Sequence, residues 1–279
     1  MLPADSHVHS EWSWDARNGS MEATCARAVE IGLPAIAFTE HVDHTVWSVE
    51  PGEFDADGYL SSLCTPDGHL IPPPFDPAGY LAEIERCRSL FPGLRILSGL
   101  EVGEPHWHAD AVAKLLEAGP FDRVIGSLHC LPTGDGGFTE PSALYSRRAA
   151  TEVVRAYLAE IPSLVAGSEV FSVLTHIDYP VRYWPEQAGP FDLTAFEEEY
   201  RHALRATAES GRALEINTRL PMHAAIVRWW REEGGQAVTF GSDAHEPSAL
   251  ARGFREAAEM AAALGFRPGA DPYDFWGRA

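Results

Sequence analysis

One short apolar run after another in this chain ends in a residue of the kind that binds metal ions. Asp5-Ser6-His7-Val8-His9 closes the first run. Thr39-Glu40-His41, Gly99-Leu100-Glu101, Ser127-Leu128-His129, Leu174-Thr175-His176 and Ser242-Asp243-Ala244-His245 close later ones. Each run reads as a buried strand, and helix-like stretches separate the runs. Such alternation implies a parallel sheet with helices outside it. The ligand-type residues narrow the choice of sheet. An open doubly wound sheet gathers its site at one crevice where strand order reverses, whereas a barrel collects residues from several strand ends on one face. Six of the seven strand ends carry such a residue. An α/β barrel of about seven strands is therefore expected.

The expected strands are Leu2–Val8, Pro34–Phe38, Leu94–Val102, Arg123–Leu128, Val170–Leu174, Ala213–Ile216 and Ala237–Phe240. Between them, Ser20 serves as an N-cap for a helix that stops at Gly32. Further helices are expected over Ala78–Leu90, from Pro105 to Gly119, over Ser142–Leu164, from a Thr194/Glu197 capping box to Gly211, from Pro221, and from Pro247 to Gly265. Residues 43–77 read as a loop insertion closed by Pro72, Pro73, Pro74 and Pro77. A loop of that length inside a compact domain is usually functional or mobile. The whole of 1–279 reads as a single domain, a length ordinary for one α/β barrel.

Composition sets limits on partners. A formal net charge of −20 argues against a long nucleic acid, which needs a basic face. It leaves room for a small phosphorylated substrate if positive charge is concentrated locally, as bound metal ions would do. Cys25, Cys64, Cys87 and Cys130 form no C-x-x-C pair and are expected to be free thiols. No signal peptide and no membrane-length apolar run is visible, so a cytoplasmic protein without a membrane partner is expected. Oligomeric state is left open.

His7 and His9 are two apart on an extended strand, so both imidazoles point to one face. Asp243 and His245 repeat that spacing. With Glu101 they offer mixed nitrogen and oxygen ligation, suited to Zn, Mn or Fe. A lone buried histidine is usually a hydrogen-bonded core residue, and that reading would suffice for His41, His129 or His176 singly. Their recurrence at equivalent strand ends argues against it.

The chain resembles the polymerase and histidinol phosphatase (PHP) family. The matching pieces are Asp5–Ser10, Thr39–His41, Gly99–Glu101, Gly126–His129, Thr175–Asp178, Glu215–Thr218 and Gly241–His245, in the family's order along nearly the whole chain. The resemblance implies a distorted seven-stranded (βα)7 barrel holding three divalent metal ions. His7, His9, Glu101 and Asp243 would hold the first. Glu101, His129 and His176 would hold the second, and Asp15, His41 and His245 the third. Some members carry histidine where this chain has Asp15, which makes the third site harder. Glu101, Asp243 and His245 are the expected catalytic residues.

Clustered divalent ions lower the pKa of bound water and bind phosphoryl oxygens, so no protein nucleophile is required. Arg182, Arg219 and Arg252 follow strand-end motifs or lie on the last helix and are candidates for holding phosphate. His44 is a candidate pocket residue. The motifs around His176 and Glu215 look most like the histidinol-phosphatase branch, which implies hydrolysis of L-histidinol phosphate in histidine biosynthesis. Its amine and imidazole call for acidic partners, with Glu104, Asp43 and Asp178 as candidates. His69 and His202 are expected at the surface and Cys130 packed away from the metals; Trp12 and Trp14 flank the site in sequence and suit either an apolar substrate wall or ordinary packing.

Three other readings compete. A PHP phosphoesterase or phosphodiesterase acting on nucleotides keeps the fold and changes the substrate. A metal-dependent amidohydrolase also opens with H-x-H but often uses a bridging lysine, where this chain offers Glu101. A non-catalytic metal-binding module tends to lose ligands, and this set is complete.

Overall fold

The computed structural model describes residues 2–52, 54–55 and 58–279. Among these residues seven parallel strands lie side by side in chain order: β1 (Asp5–Val8), β2 (Ala35–Val42), β3 (Arg95–Gly103), β4 (Arg123–Ser127), β5 (Val173–Leu174), β6 (Ala213–Asn217) and β7 (Ala237–Gly241). Two more strands, β8 (Phe266–Arg267) and β9 (Trp276–Arg278), extend the sheet to nine, with β9 antiparallel to β7. The sheet curls until its first strand meets the chain beyond β7. There the Asp243 N–H donates to the His7 carbonyl (2.9 Å), the His9 N–H donates to the Ala244 carbonyl (2.8 Å), and Val8 bridges Ala244 in parallel. The sheet is thus α/β and curled as expected, but it has nine strands. Strands of two and three residues are too short to show alternation, which is why β8 and β9 were not anticipated.

Among the described residues seven longer helices accompany the sheet: α1 (Met21–Glu30), α2 (Pro77–Leu90), α3 (Ala109–Leu116), α4 (Ala150–Gly167), α5 (Glu197–Glu209), α6 (Ala224–Glu232) and α7 (Phe254–Ala263). Ser20 caps α1 through the Ala23 N–H, and Asp76 caps α2 through the Gly79 N–H (3.1 Å). Several expected boundaries shift. The helix placed from Pro105 begins at Ala109, after a turn in which Glu104 takes φ 44°. The stretch expected from Ser142 is a short helix, Pro141–Leu144, followed by α4 from Ala150. The helix expected from Pro221 starts at Ala224, capped by His223. Pro247 opens only a single 3-10 turn. Asp5 explains that break: its Oδ2 accepts the Ala251 N–H (3.1 Å) and its Oδ1 the Ser242 N–H (3.0 Å), pinning the turn to β1. Residues 43–77 are not a bare loop. Trp47–Ser48 pairs antiparallel with His69–Leu70, and Tyr59–Ser62 is a short helix; residues 53, 56 and 57 lie outside the described residues.

One apolar cluster runs from Val8 to Phe266 and joins helices to sheet. Within it Tyr80 of α2 is fully buried. Its hydroxyl donates to the Phe38 carbonyl of β2 (2.7 Å) and accepts the Gly99 N–H of β3 (2.8 Å), two residues before Glu101. No helix among the described residues is long and apolar enough to cross a membrane. Replacing Tyr80 by Phe leaves two buried backbone groups without that partner, at about 1–3 kcal/mol each at most. Tyr80→Phe is expected to lower the urea midpoint with an unchanged m-value, and an unchanged midpoint would contradict the role given to this hydroxyl.

Candidate metal centre

The C-terminal ends of the parallel strands converge on Glu101. Its side chain leaves β3 fully buried, and five imidazoles surround the carboxylate. Oε2 lies 3.0 Å from His7 Nε2, 3.3 Å from His9 Nε2 and 3.2 Å from His41 Nδ1; Oε1 lies 2.9 Å from His176 Nε2 and 3.3 Å from His129 Nε2. Asp243 Oδ1 stands 3.6 Å from His9 Nε2. On the far side of His9, Asp15 Oδ2 is 3.0 Å from His245 Nε2 and 3.5 Å from His41 Nε2. All nine residues expected as ligands thus meet in one connected cluster. Three sets of ligand atoms lie close enough to share an ion: His7, His9 and Asp243; His41, Glu101 and His129; and His9, His41 and His245.

The chain aims these groups from behind. His7 Nδ1 bonds Glu215 Oε1 (2.7 Å), and His129 Nδ1 bonds Asp43 Oδ1 (3.2 Å). His9 Nδ1 bonds Ser13 Oγ (2.9 Å), whose hydroxyl donates to Glu40 Oε2 (2.5 Å), so Ser13 accepts from His9. An imidazole whose Nδ1–H is held by an acceptor turns a lone pair inward at Nε2, which is how metal-bound histidines are oriented. Glu215 also takes the His176 N–H through Oε2 (2.9 Å), and Glu104 takes the His129 and Cys130 N–H groups. Backbone room is needed too. A Cβ on Gly241 would collide with Glu215 Oε1 and the His7 side chain, and one on Gly103 would collide with Asp43. Asp243 itself takes the left-handed conformation at φ 54°, tolerated by Asp better than by most residues.

The cluster asks for positive charge. Burial opposes ionisation of Glu101, but His7, His41 and His129 outweigh it and hold the carboxyl well below its usual range. Asp243 is likewise held well below by Arg182, His7 and Arg219 against burial. Burial and the neighbouring His41 and His245 push His9 well below the ordinary imidazole value, whereas His7 is drawn well above it by Glu101, Glu215 and Asp243 against burial. Burial takes His176 down to about 4. Glu101 Oε2 and Asp15 Oδ1 are buried without a hydrogen-bond partner, and Glu101 Oε2 faces the nitrogens of His7, His9 and His41. Unpartnered carboxylate oxygens among imidazole lone pairs fit divalent cations.

A cavity of about 180 Å³ opens onto the cluster, and Asp43, Trp14, Trp47, Tyr179, Arg182 and Arg219 are among its lining residues. Arg182 is mostly buried, with Nη2 2.7 Å from Asp243 Oδ2 and its guanidinium over the Tyr179 ring. Arg219 is half exposed, with Nη1 3.3 Å from Asp243 Oδ1. The other two substrate candidates do not reach this space. Arg252 is exposed on the turn before α7, and His44 packs beside His108; neither lines the cavity. Of the three acids considered for the substrate amine, Asp43 lines the cavity. Glu104 is occupied by backbone N–H groups, and Asp178 is buried outside the lining. His69 and His202 are at the surface, and Cys130 packs with Trp47 and Leu70. Sequence reasoning missed Glu215, Glu40 and Ser13 as positioning residues, and Glu140, Tyr183 and Trp47 as cavity walls. An acid inside an apolar strand was the signal for Glu40 and Glu215; the cavity walls left none.

The sequence model of the PHP domain matches residues 5–219. The chain is 28% identical over 253 residues to a histidinol-phosphatase of Lactococcus lactis, covering 88% of this chain and 85% of that one. A probable histidinol-phosphatase of Deinococcus radiodurans is 29% identical over 274 residues, covering 94% of each. Among solved structures, the Lactococcus lactis histidinol phosphate phosphatase, complexed with zinc, L-histidinol and phosphate, superposes with a TM-score of 0.79 at 25% identity over 98% of both chains.

A cation that binds only the folded cluster stabilises the fold by mass action, about 2.7 kcal/mol at a hundred times its dissociation constant. For a chain of this size that corresponds to roughly 5–10 °C. Calorimetry of zinc-loaded and chelator-treated protein is expected to show this difference; equal melting temperatures would contradict a folded-state metal site.

Proposed function

The chain belongs to the PHP family, and we propose that it is a metal-dependent phosphomonoesterase that hydrolyses L-histidinol phosphate to L-histidinol and phosphate in histidine biosynthesis. The observation that carries this reading is the meeting of a complete His/Asp/Glu cluster with two arginines in one cavity, on a fold shared with an enzyme bound to both products. We read residues 1–279 as one domain and the seven parallel strands as its distorted barrel. The apolar cluster that runs from Val8 to Phe266 and the bridge from Val8 to Ala244 support this. The thiols of Cys25 and Cys87 are free, which fits a reducing, cytoplasmic setting.

Three divalent ions are assigned to the cluster. His7, His9, Glu101 and Asp243 hold the first, Glu101 with His129 and His176 the second, and Asp15, His41 and His245 the third. The split contacts of the two Glu101 oxygens support the shared role. Zinc fits the donor set and so do Mn and Fe. Bound divalent ions supply acidified water and neutralise phosphoryl oxygens.

The chain's own residues do the rest. Arg182 and Arg219 present guanidinium groups at the cavity, where they now lean on Asp243, and a phosphate dianion takes up their free N–H edges. Burial of Arg182 fixes its fork before substrate arrives. Glu215, Asp43 and the Ser13–Glu40 pair hold His7, His129 and His9 in one orientation through the reaction. Trp14 and Trp47 give the leaving alcohol an apolar wall, and Asp43 gives its amine a negative neighbour.

The test is a substrate panel of histidinol phosphate, nucleoside monophosphates and a bis-aryl phosphodiester, assayed with the metal-loaded protein. The highest kcat/KM is expected for histidinol phosphate; preference for a nucleotide or the diester would replace this reading. A hydrogen bond to a charged group contributes about 1.5–3 kcal/mol. Arg182→Ala and Arg219→Ala are therefore each expected to lose roughly ten- to a hundredfold in kcat/KM, with weaker inhibition by phosphate, and Arg→Lys to recover only part. Wild-type values in both alanine variants would leave the phosphate to the metals alone.

A further inference from the structure

The chain has 41 acidic residues against 21 basic ones, so carboxylates are plentiful partners for arginine. Arg86, Arg88, Arg155 and Arg201 each hold one. The opposite end of the sheet from the metal centre differs. Arg123 opens β4 and is 8% exposed, yet its partners are neutral. Nη1 donates to Ser6 Oγ of β1, Nη2 donates to the Tyr273 carbonyl (3.3 Å), and Phe275 lies 4.7 Å beneath its plane. Burial lowers its pKa to about 10, and the nearby carboxylates of Asp122 and Asp274, neither in direct ion pair with it, offset this only in part. A buried cation without a directly paired counter-charge is costly.

An open cleft of about 600 Å³ adjoins this side chain, and Arg267 of β8 and Arg278 of β9 also line it. Arg267 directs Nη1 to the carbonyls of Ala262 and Phe266, which leaves Nη2 and Nε available. Asp274 is the carboxylate in the lining; its Oδ2 accepts the Asp271 N–H (2.9 Å), and it makes no ion pair with the described residues. Three guanidinium groups against one carboxylate give the cleft a net positive charge in a strongly acidic protein. β4 has five residues, so Arg123 lies roughly 13 Å along the strand from the end that leads to His129, at about 3.3 Å per residue.

We propose that this cleft is a second anion site, which binds a phosphoryl group, free or carried on a small molecule, apart from the metal centre. Arginine forks match phosphoryl oxygens in pairs, and an anion there would add a directly paired counter-charge to what Asp122 and Asp274 supply from a distance. Because β8 and β9 pair on the edge of β7, an occupant would tie the C-terminal ribbon to the first turn of β4.

Equilibrium dialysis of the metal-loaded protein against inorganic phosphate tests this, using the exposed pair Arg267→Ala/Arg278→Ala so that the buried Arg123 is left intact. The expected result is two phosphates per chain in the wild type and one in the double variant, with kcat/KM unchanged. Asp243→Ala, which disables the metal centre, is expected to keep the phosphate that the double variant loses. A single phosphate in the wild type, or two in the double variant, would overturn the proposal. Methylphosphonate in competition separates the sources. Displacement at the second site marks one that accepts a substituent on phosphorus, as an organic phosphate requires, and no displacement marks a site for the free ion. The readout is stoichiometry, so it does not depend on which phosphate ester the metal centre hydrolyses.

Discussion

Glu101 carries a carboxylate that water does not reach, enclosed by His7, His9, His41, His129 and His176. Such a group needs positive charge at both oxygens, and the five imidazoles arrive from β1, β2, the exit of β4 and the exit of β5. No two neighbouring strands suffice, so the site exists only when the sheet has curled. Register is part of the same constraint. Side chains alternate along β3, and a slip of one residue would turn Glu101 to the other face and bring Leu100 or Val102 to the metals. The register of β3 with β2 is continuous over eight residue pairs, His41 beside Glu101 among them, and the Tyr80 hydroxyl spans the two strands just below.

The outer layer follows from that centre. Each ligand histidine whose Nδ1 is engaged by a carboxylate or by Ser13 presents a single nitrogen inward, so the cluster is preorganised by the chain. Arg182 and Arg219 then lean on Asp243, a carboxylate already needed near His9. The same contacts that satisfy Asp243 place two guanidinium groups at the cavity, which would couple metal binding to phosphate binding through one side chain in the proposed reaction. The segment 43–77 adds Trp47, Phe54 and Leu60 to the cavity wall, so the least regular part of the chain shapes the space for the leaving group.

Much of this was legible because barrels write their sites at strand ends. His7, His9, His41, Glu101, His129, His176, Asp243 and His245 each follow an apolar run, and order along the chain became order around the sheet. Asp15 carried no strand signal and came from family resemblance. The residues that position the ligands were harder to see. Glu40 points away from His41 because neighbours on a strand face opposite sides, and only the fold shows that this side meets Ser10 and Ser13. His44 looked like a site residue by proximity in sequence, but the chain turns after Asp43 and carries it toward His108. Arg252 falls on a turn that Asp5 fixes, and this holds it at the surface. The pair β8 and β9 was invisible for want of length, and with it the arginine-lined cleft.

The central claim is that Glu101 joins two ions in a cluster of three. Anomalous diffraction from crystals of metal-loaded protein, recorded above and below the metal edge, tests it most directly. The account predicts three peaks inside the nine-ligand cluster, two of them flanking the Glu101 carboxylate about 3.5–4 Å apart, as in other two-metal sites. A single peak, or metal bound elsewhere with Glu101 bare, would contradict it.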